Sequence, residues 1–156
     1  MQQVSQQSAD GRRAGRSRKR NVARVLLADA DLASRLTLKT LFSTAGYAVD
    51  GAATAAEAVA RLEGHEYQLV LADLRTESEE AGPRLLSYAR QKNYRPATAL
   101  ITSDLKAVRP GKKDDTSADS VVSISDENVS YLLARVAELI SHRAGRRIRE
   151  ALRRAS

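Results

Sequence analysis

Three short stretches of the 156-residue sequence place chemistry-bearing side chains at the ends of apolar runs. "RVLLADAD" (24–31) ends in Asp29 and Asp31, "YQLVLADL" (67–74) delivers Asp73, and "ATALITS" (97–103) ends in Thr102 and Ser103. The acidic run Glu77, Glu79 and Glu80 follows Asp73 closely. Two readings fit an acid at such a place: a solvated loop carboxylate, or one that the strand aims at a functional edge. Other chemistries are poorly supplied. The chain has no Cys, which removes disulfides and thiolate ligands, and its two histidines, His65 and His142, are too far apart in sequence to suggest a zinc site.

The elements that must position these residues follow from periodicity. Short apolar runs of strand length start at Arg24, Tyr47, Gln68, Ala97 and Asp119. Amphipathic stretches separate most of them. Leu32, Leu36 and Phe42 recur at roughly helical spacing, and Gly46 is a stop signal. Thr54 and Glu57 fit a capping box that opens "AAEAVARLEG", which closes near Gly64. "PRLLSYARQKN" is helical, with Pro83 near its first turn, where its missing N–H costs nothing. Residues 103–117 have the place of a fourth helix, yet Pro110-Gly111 and a charge cluster leave room for one or two turns at most. In "DENVSYLLARVAELISHRAG", Val129, Leu132, Leu133, Val136 and Ile140 share one face, and the helix can continue into "RRIREALRRAS".

Five strands alternating with helices predict an α/β fold, a doubly wound parallel sheet with helices on both faces, because parallel strands need crossovers. Ligands in such sheets gather at the C-terminal strand ends. Asp29, Asp73 and Thr102 all stand at such ends, which favours the second reading of the strand-end acids.

Charge divides the chain. The formal net charge is +7. Residues 1–24 hold seven Lys/Arg against Asp10, and residues 142–156 hold six Arg against Glu150, so the interior is acidic. The expected organisation is a disordered basic tail over 1–23, a domain over 24–141 and a basic helical extension over 142–156. Six Lys/Arg in residues 11–20, without aromatics to stack on bases, suit sequence-independent phosphate contact. No helix-turn-helix with a recognition helix is visible. A thin apolar face, Ile148 and Leu152, could also bring the C-terminal arginines to an anionic membrane. The N-terminal stretch lacks the apolar middle of a signal peptide, and no run approaches the ~20 apolar residues of a transmembrane helix, so a cytoplasmic protein is expected.

Residues 24–141 resemble the receiver domain of bacterial two-component response regulators, the CheY-like, flavodoxin-like fold. The resemblance rests on "RVLLADAD", Gly46-Tyr47, Glu57-Ala58, "YQLVLADL" and "ALITS", in that order and spacing. It implies that Asp73 accepts a phosphoryl group, that Asp29 and Asp73 hold Mg²⁺, and that Thr102 binds phosphoryl oxygens. It also implies a histidine kinase or phosphotransfer protein as donor, a downstream protein partner, and a signalling module rather than an ordinary enzyme.

Departures from the family pattern are specific. The second acid of the family's metal pair falls on Ala30, and adjacent Asp31 points the other way on an extended backbone. The family's Lys falls near Ser125, its strand-five aromatic on Val122, and its following Pro on Asp126; Lys112 and Lys113 come too early. Weak Mg²⁺ binding, or none, and poor phosphorylation are therefore expected. Phosphorylation should change the last-helix surface little, leaving output to a constitutive face along Val129, Leu133, Val136 and Ile140. The alternative is a phosphorylation-independent interaction module that binds nucleic acid through its basic tails.

Overall fold

The computed structural model describes residues 22–73, 77–102, 120–123 and 129–155. The 1–21 part of the tail, the fourth-helix region, Lys112, Lys113, Ser125 and Asp126 lie outside the described residues, as does the side chain of Val122. Five strands, β1 (Arg24–Ala28), β2 (Ala48–Ala52), β3 (Leu69–Asp73), β4 (Ala97–Thr102) and β5 (Ser120–Ser123), form one parallel sheet in the order β2-β1-β3-β4-β5. The helices are α1 (Leu32–Thr44), α2 (Ala55–Gly64), α3 (Ala81–Arg90) and α4 (Val129–Ala155).

The inner strands β1 and β3 read as nearly unbroken apolar runs because both faces are covered. Alternate residues serve opposite cores. Val25, Leu27, Leu69, Leu71, Ala99 and Ile101 pack with Leu38 and Phe42 of α1 and with Leu132, Val136 and Leu139 of α4. Leu26, Val70, Ala72 and Leu100 pack with Ala58 and Leu62 of α2, Leu85, Leu86 and Ala89 of α3, and the buried rings of Tyr67 and Tyr94.

Local signals end the helices where the sequence puts them. Gly46 has φ +105°, and Gly46 N–H donates to Ser43 O while Tyr47 N–H donates to Phe42 O, both at 3.1 Å. This is a Schellman closure, which requires a left-handed residue and explains the glycine. At α2, Glu57 N–H donates to Thr54 Oγ1 (3.1 Å), and Glu57 Oε2 accepts from Ala53 N–H (3.0 Å), one residue before the usual reciprocal partner.

Two apolar stripes differ from expectation. Leu32 and Leu36 are exposed, and α1 buries Leu38 and Phe42 instead, with Leu41 partly buried against the same core. On α4, Val136 is fully buried, and Leu133 and Ile140 pack against the same core, while Val129 is exposed. The stripe assigned to a constitutive output face is therefore spent on the sheet.

The two buried tyrosines give the fold an alkaline limit. Tyr67 Oη donates to Asp50 Oδ2 at 2.7 Å, and Tyr94 Oη donates to the Leu62 carbonyl at 3.1 Å. Burial first, then nearby carboxylates, push both phenols up, Tyr94 to about 12 from 10.0. A raised phenol pKa favours the neutral folded form, so this stability is whole below pH 10 and is lost as pH rises through about 12. The melting temperature should therefore fall between those values, and Tyr94→Phe should flatten the fall; identical pH profiles would contradict the assignment.

Candidate functional site

Sheet order fixes where a ligand site belongs. In a 2-1-3-4-5 sheet the connections leave in opposite directions from β1 and β3, which opens a crevice beyond the C-terminal ends of those two strands. The last ladder pair there is Ala28 with Ala72, so the next residue on each strand is Asp29 and Asp73. Neighbouring strands run about 4.8 Å apart. By alternation, Asp29 and Asp73 continue the Val25–Leu27 and Leu69–Leu71 side of the sheet. Asp73 is level with Ile101, so Thr102 stands one step further along β4. The structure thus brings all three predicted positions to one edge, Thr102 by its backbone place.

Asp29 is only 3% exposed. Its Oδ1 accepts from Asp31 N–H at 2.9 Å, and its backbone N–H donates to Ala52 O at 2.9 Å. The other carboxylate oxygen, Oδ2, is buried with no hydrogen-bond partner. An unpartnered buried carboxylate oxygen is expensive unless a cation or a proton meets it. Asp73 is half-buried.

The neighbours of Asp29 have other duties. Ala30 is exposed and offers a methyl group. Asp31 is the N-cap of α1, its Oδ2 accepting from Ser34 N–H at 3.1 Å. It, and not Asp29, caps the helix. Arg35, which the sequence did not single out, donates from Nη1 to the Asp29 carbonyl at 2.6 Å, and its stem lies over Gly51, where a Cβ would come within 3.3 Å.

The acidic loop is partly structural. Glu77 has φ +64° and accepts at Oε1 from Ala55 N–H, 3.0 Å away, in the first turn of α2. That contact ties the segment after Asp73 to a helix N-terminus, where negative charge is favoured. Glu79 and Glu80 are exposed, and Glu80 pairs with Arg84 at 3.0 Å. No group of three or more acidic, His or Cys side chains gathers as a metal cage among the described residues. Behind Asp73, α3 comes so close that a Cβ on Gly82 would lie 3.2 Å from the Asp73 carbonyl oxygen.

The donor set fits a divalent cation of the Mg²⁺ type. Such an ion needs only one or two carboxylates and keeps several waters, and Asp29 Oδ2 is a buried anionic oxygen lacking a counter-group. The residues that would hold it are Asp29 and Asp73.

No protein-family model and no curated protein matches the chain. Solved structures do. A signal receiver domain of an HD-domain-containing protein from Pseudomonas fluorescens superposes with a TM-score of 0.68 at 22% identity, over 82% of this chain and 93% of that one. The response regulator TrrA from Thermotoga maritima, in complex with Mg²⁺ and BeF, gives a TM-score of 0.66 at 24% identity over 76% and 99% of the two chains. In complex with the histidine kinase ThkA, TrrA gives a TM-score of 0.64 at 24% identity over 76% and 98%. The fold is that of CheY-like response-regulator receiver domains. No helix among the described residues is long and apolar enough to cross a membrane.

Proposed function

We propose that the chain is a divergent receiver module of phosphorelay signalling, in which Asp73 accepts a phosphoryl group from a histidine kinase or phosphotransfer protein. The observation that carries this reading is the buried, unpartnered Oδ2 of Asp29 at the β1/β3 crevice, one strand from Asp73. TrrA, whose fold this chain shares, is seen both with Mg²⁺-BeF and with its histidine kinase.

In this reading an Asp73 oxygen attacks phosphorus as the donor's P–N bond breaks, and the donor imidazole leaves with the bonding electron pair. A bound Mg²⁺ supplies neutralisation of the phosphoryl oxygens. Asp29 holds negative charge where that cation is needed, and the Asp31 N–H on its Oδ1 fixes the carboxylate's orientation. In this reading Thr102 would bind a phosphoryl oxygen; its backbone stands at the same sheet edge as Asp73. Ala30 withholds one metal ligand, and no Lys lies in "DSVVSISDEN" to pair with the phosphoryl group. The module therefore transfers slowly and serves as a signalling or scaffold element rather than an enzyme with turnover.

Mg²⁺ titration with beryllofluoride, followed through backbone amides, tests the reading. Mg²⁺ alone should shift the amides around Asp29 and Asp73, and beryllofluoride should add to those shifts only when Mg²⁺ is present. Ala30→Asp should tighten Mg²⁺ by roughly tenfold or more, the worth of one charged contact. Ala30→Asp binding no better than wild type would mean that another oxygen already fills the position. A salt-dependent shift on any duplex, with no response to the mimic, would favour the nucleic-acid module instead.

A further inference from the structure

The basic extension is docked, and the docking builds a cleft at the other end of the sheet. Arg143 lies on the buried stripe of α4 after Leu132, Val136 and Leu139, and is only 9% exposed. Its Nε donates to Arg95 O (3.1 Å) and its Nη2 to Tyr94 O (2.7 Å); Arg147 Nη1 donates to the same Tyr94 carbonyl at 2.7 Å. Arg95, at φ +40°, turns the chain so that both carbonyls face the helix, and pairs with Glu150 at 2.9 Å. Among the described residues Arg143 and Arg147 are thus held by neutral carbonyls and form no ion pair. A buried cation so placed is poorly compensated. Burial first, then Arg147, push the Arg143 guanidinium below its ordinary value, and the Glu66 carboxylate offsets this only in part.

Beside them is a cleft of about 440 Å³ whose charged lining is Arg90, Arg95, Arg143, Arg146, Arg147 and Glu150. Five arginines against one glutamate leave a charge of +4. Arginines stand on both walls, one wall from the α3–β4 connection and the other from α4. The volume is that of a small-molecule site. Guanidinium forks suit phosphate oxygens, which they bind in pairs. Pro96, in the lining, immediately precedes β4, whose far end carries Thr102. At ~3.3 Å per residue the cleft is about 20 Å from the Asp73 edge.

We propose that this cleft binds an oligophosphate anion, free or as the phosphate chain of a nucleotide, independently of the Asp73 site. A triphosphate would bring anionic oxygens to Arg143 and Arg147, which neutral carbonyls hold among the described residues. Its oxygens would engage the cleft arginines while the Tyr94 and Arg95 carbonyls keep Arg143 and Arg147 in place.

Calorimetry on the full chain, in chelator and at fixed ionic strength, tests this with inorganic triphosphate and with ATP. Both should bind, and equal affinities would show that the phosphates suffice, whereas tighter ATP would show that the nucleoside is also held. Arg147→Gln should weaken both by roughly tenfold, the worth of a charge-assisted contact. Glu150→Gln, which removes the one carboxylate and keeps an acceptor for Arg95, should tighten both by roughly threefold. It also serves if the arginine variant does not fold. Asp73→Asn should change neither, which separates this site from the phosphoacceptor. Binding that ignores both Arg147→Gln and Glu150→Gln would overturn the proposal. So would a duplex that binds where triphosphate neither binds nor competes, which would make the extension a nucleic-acid surface.

Discussion

Asp29→Asn should stabilise the metal-free protein while removing its response to Mg²⁺. Asp29 Oδ1 accepts from Asp31 N–H, and an amide oxygen can keep that bond. The substitution removes the charge that leaves Oδ2 buried without a partner. An unsatisfied buried group costs about 1–3 kcal/mol, more when charged. The expected gain is of that order, several degrees in melting temperature for a chain of this size. The wild type should gain stability when Mg²⁺ is added, by the mass action of a ligand that binds only the folded state; Asp29→Asn should not. Thermal melts with and without Mg²⁺ decide it. A variant less stable than wild type without metal would mean that a proton or another group already satisfies Oδ2.

This result would express a conflict built into the site. Asp29 follows four fully buried apolar residues of β1, so the fold carries a carboxylate to the rim of its own core. Asp73 sits half-buried where Gly82 lets α3 close on its backbone. The proposed function would use that charge, which is the reason a fold would tolerate it there.

Much of this arrangement is legible along the chain. Apolar runs ending in acids, the Gly46 stop, and the Thr54–Glu57 pair each depend on contacts within a few residues, so local sequence suffices to read them. The strand ends converge because parallel topology requires it. What escapes depends on distant partners. Leu32 and Leu36 fall at roughly helical spacing with Phe42 yet are exposed, and only packing shows that Leu38 joins Phe42 on the buried face of α1. Glu77 reads as one more acid in an acidic loop until the loop is seen capping Ala55 N–H. Arg143 continues the spacing of Leu132, Val136 and Leu139. A cation on an apolar stripe was the available signal that the extension docks, but its partners, the Tyr94 and Arg95 carbonyls, lie nearly fifty residues away.

The second large effect concerns Asp73 itself, as the nucleophile of the proposed reaction. Removing it leaves no group to carry the phosphoryl, because an amide is a poor nucleophile and Asp29 is buried. Loss should therefore be complete rather than graded. Conservative removal should spare the fold, since Asp73 is half-exposed and its backbone pairing with β4 does not depend on the side chain. The most direct measurement is intact-mass spectrometry after incubation with acetyl phosphate. With Mg²⁺, wild type should gain one phosphoryl group, slowly and in hydroxylamine-sensitive form, Ala30→Asp should gain it faster, and Asp73→Asn should gain none. Labelling of Asp73→Asn equal to that of wild type, or none on wild type and Ala30→Asp at any Mg²⁺ concentration, would contradict the account.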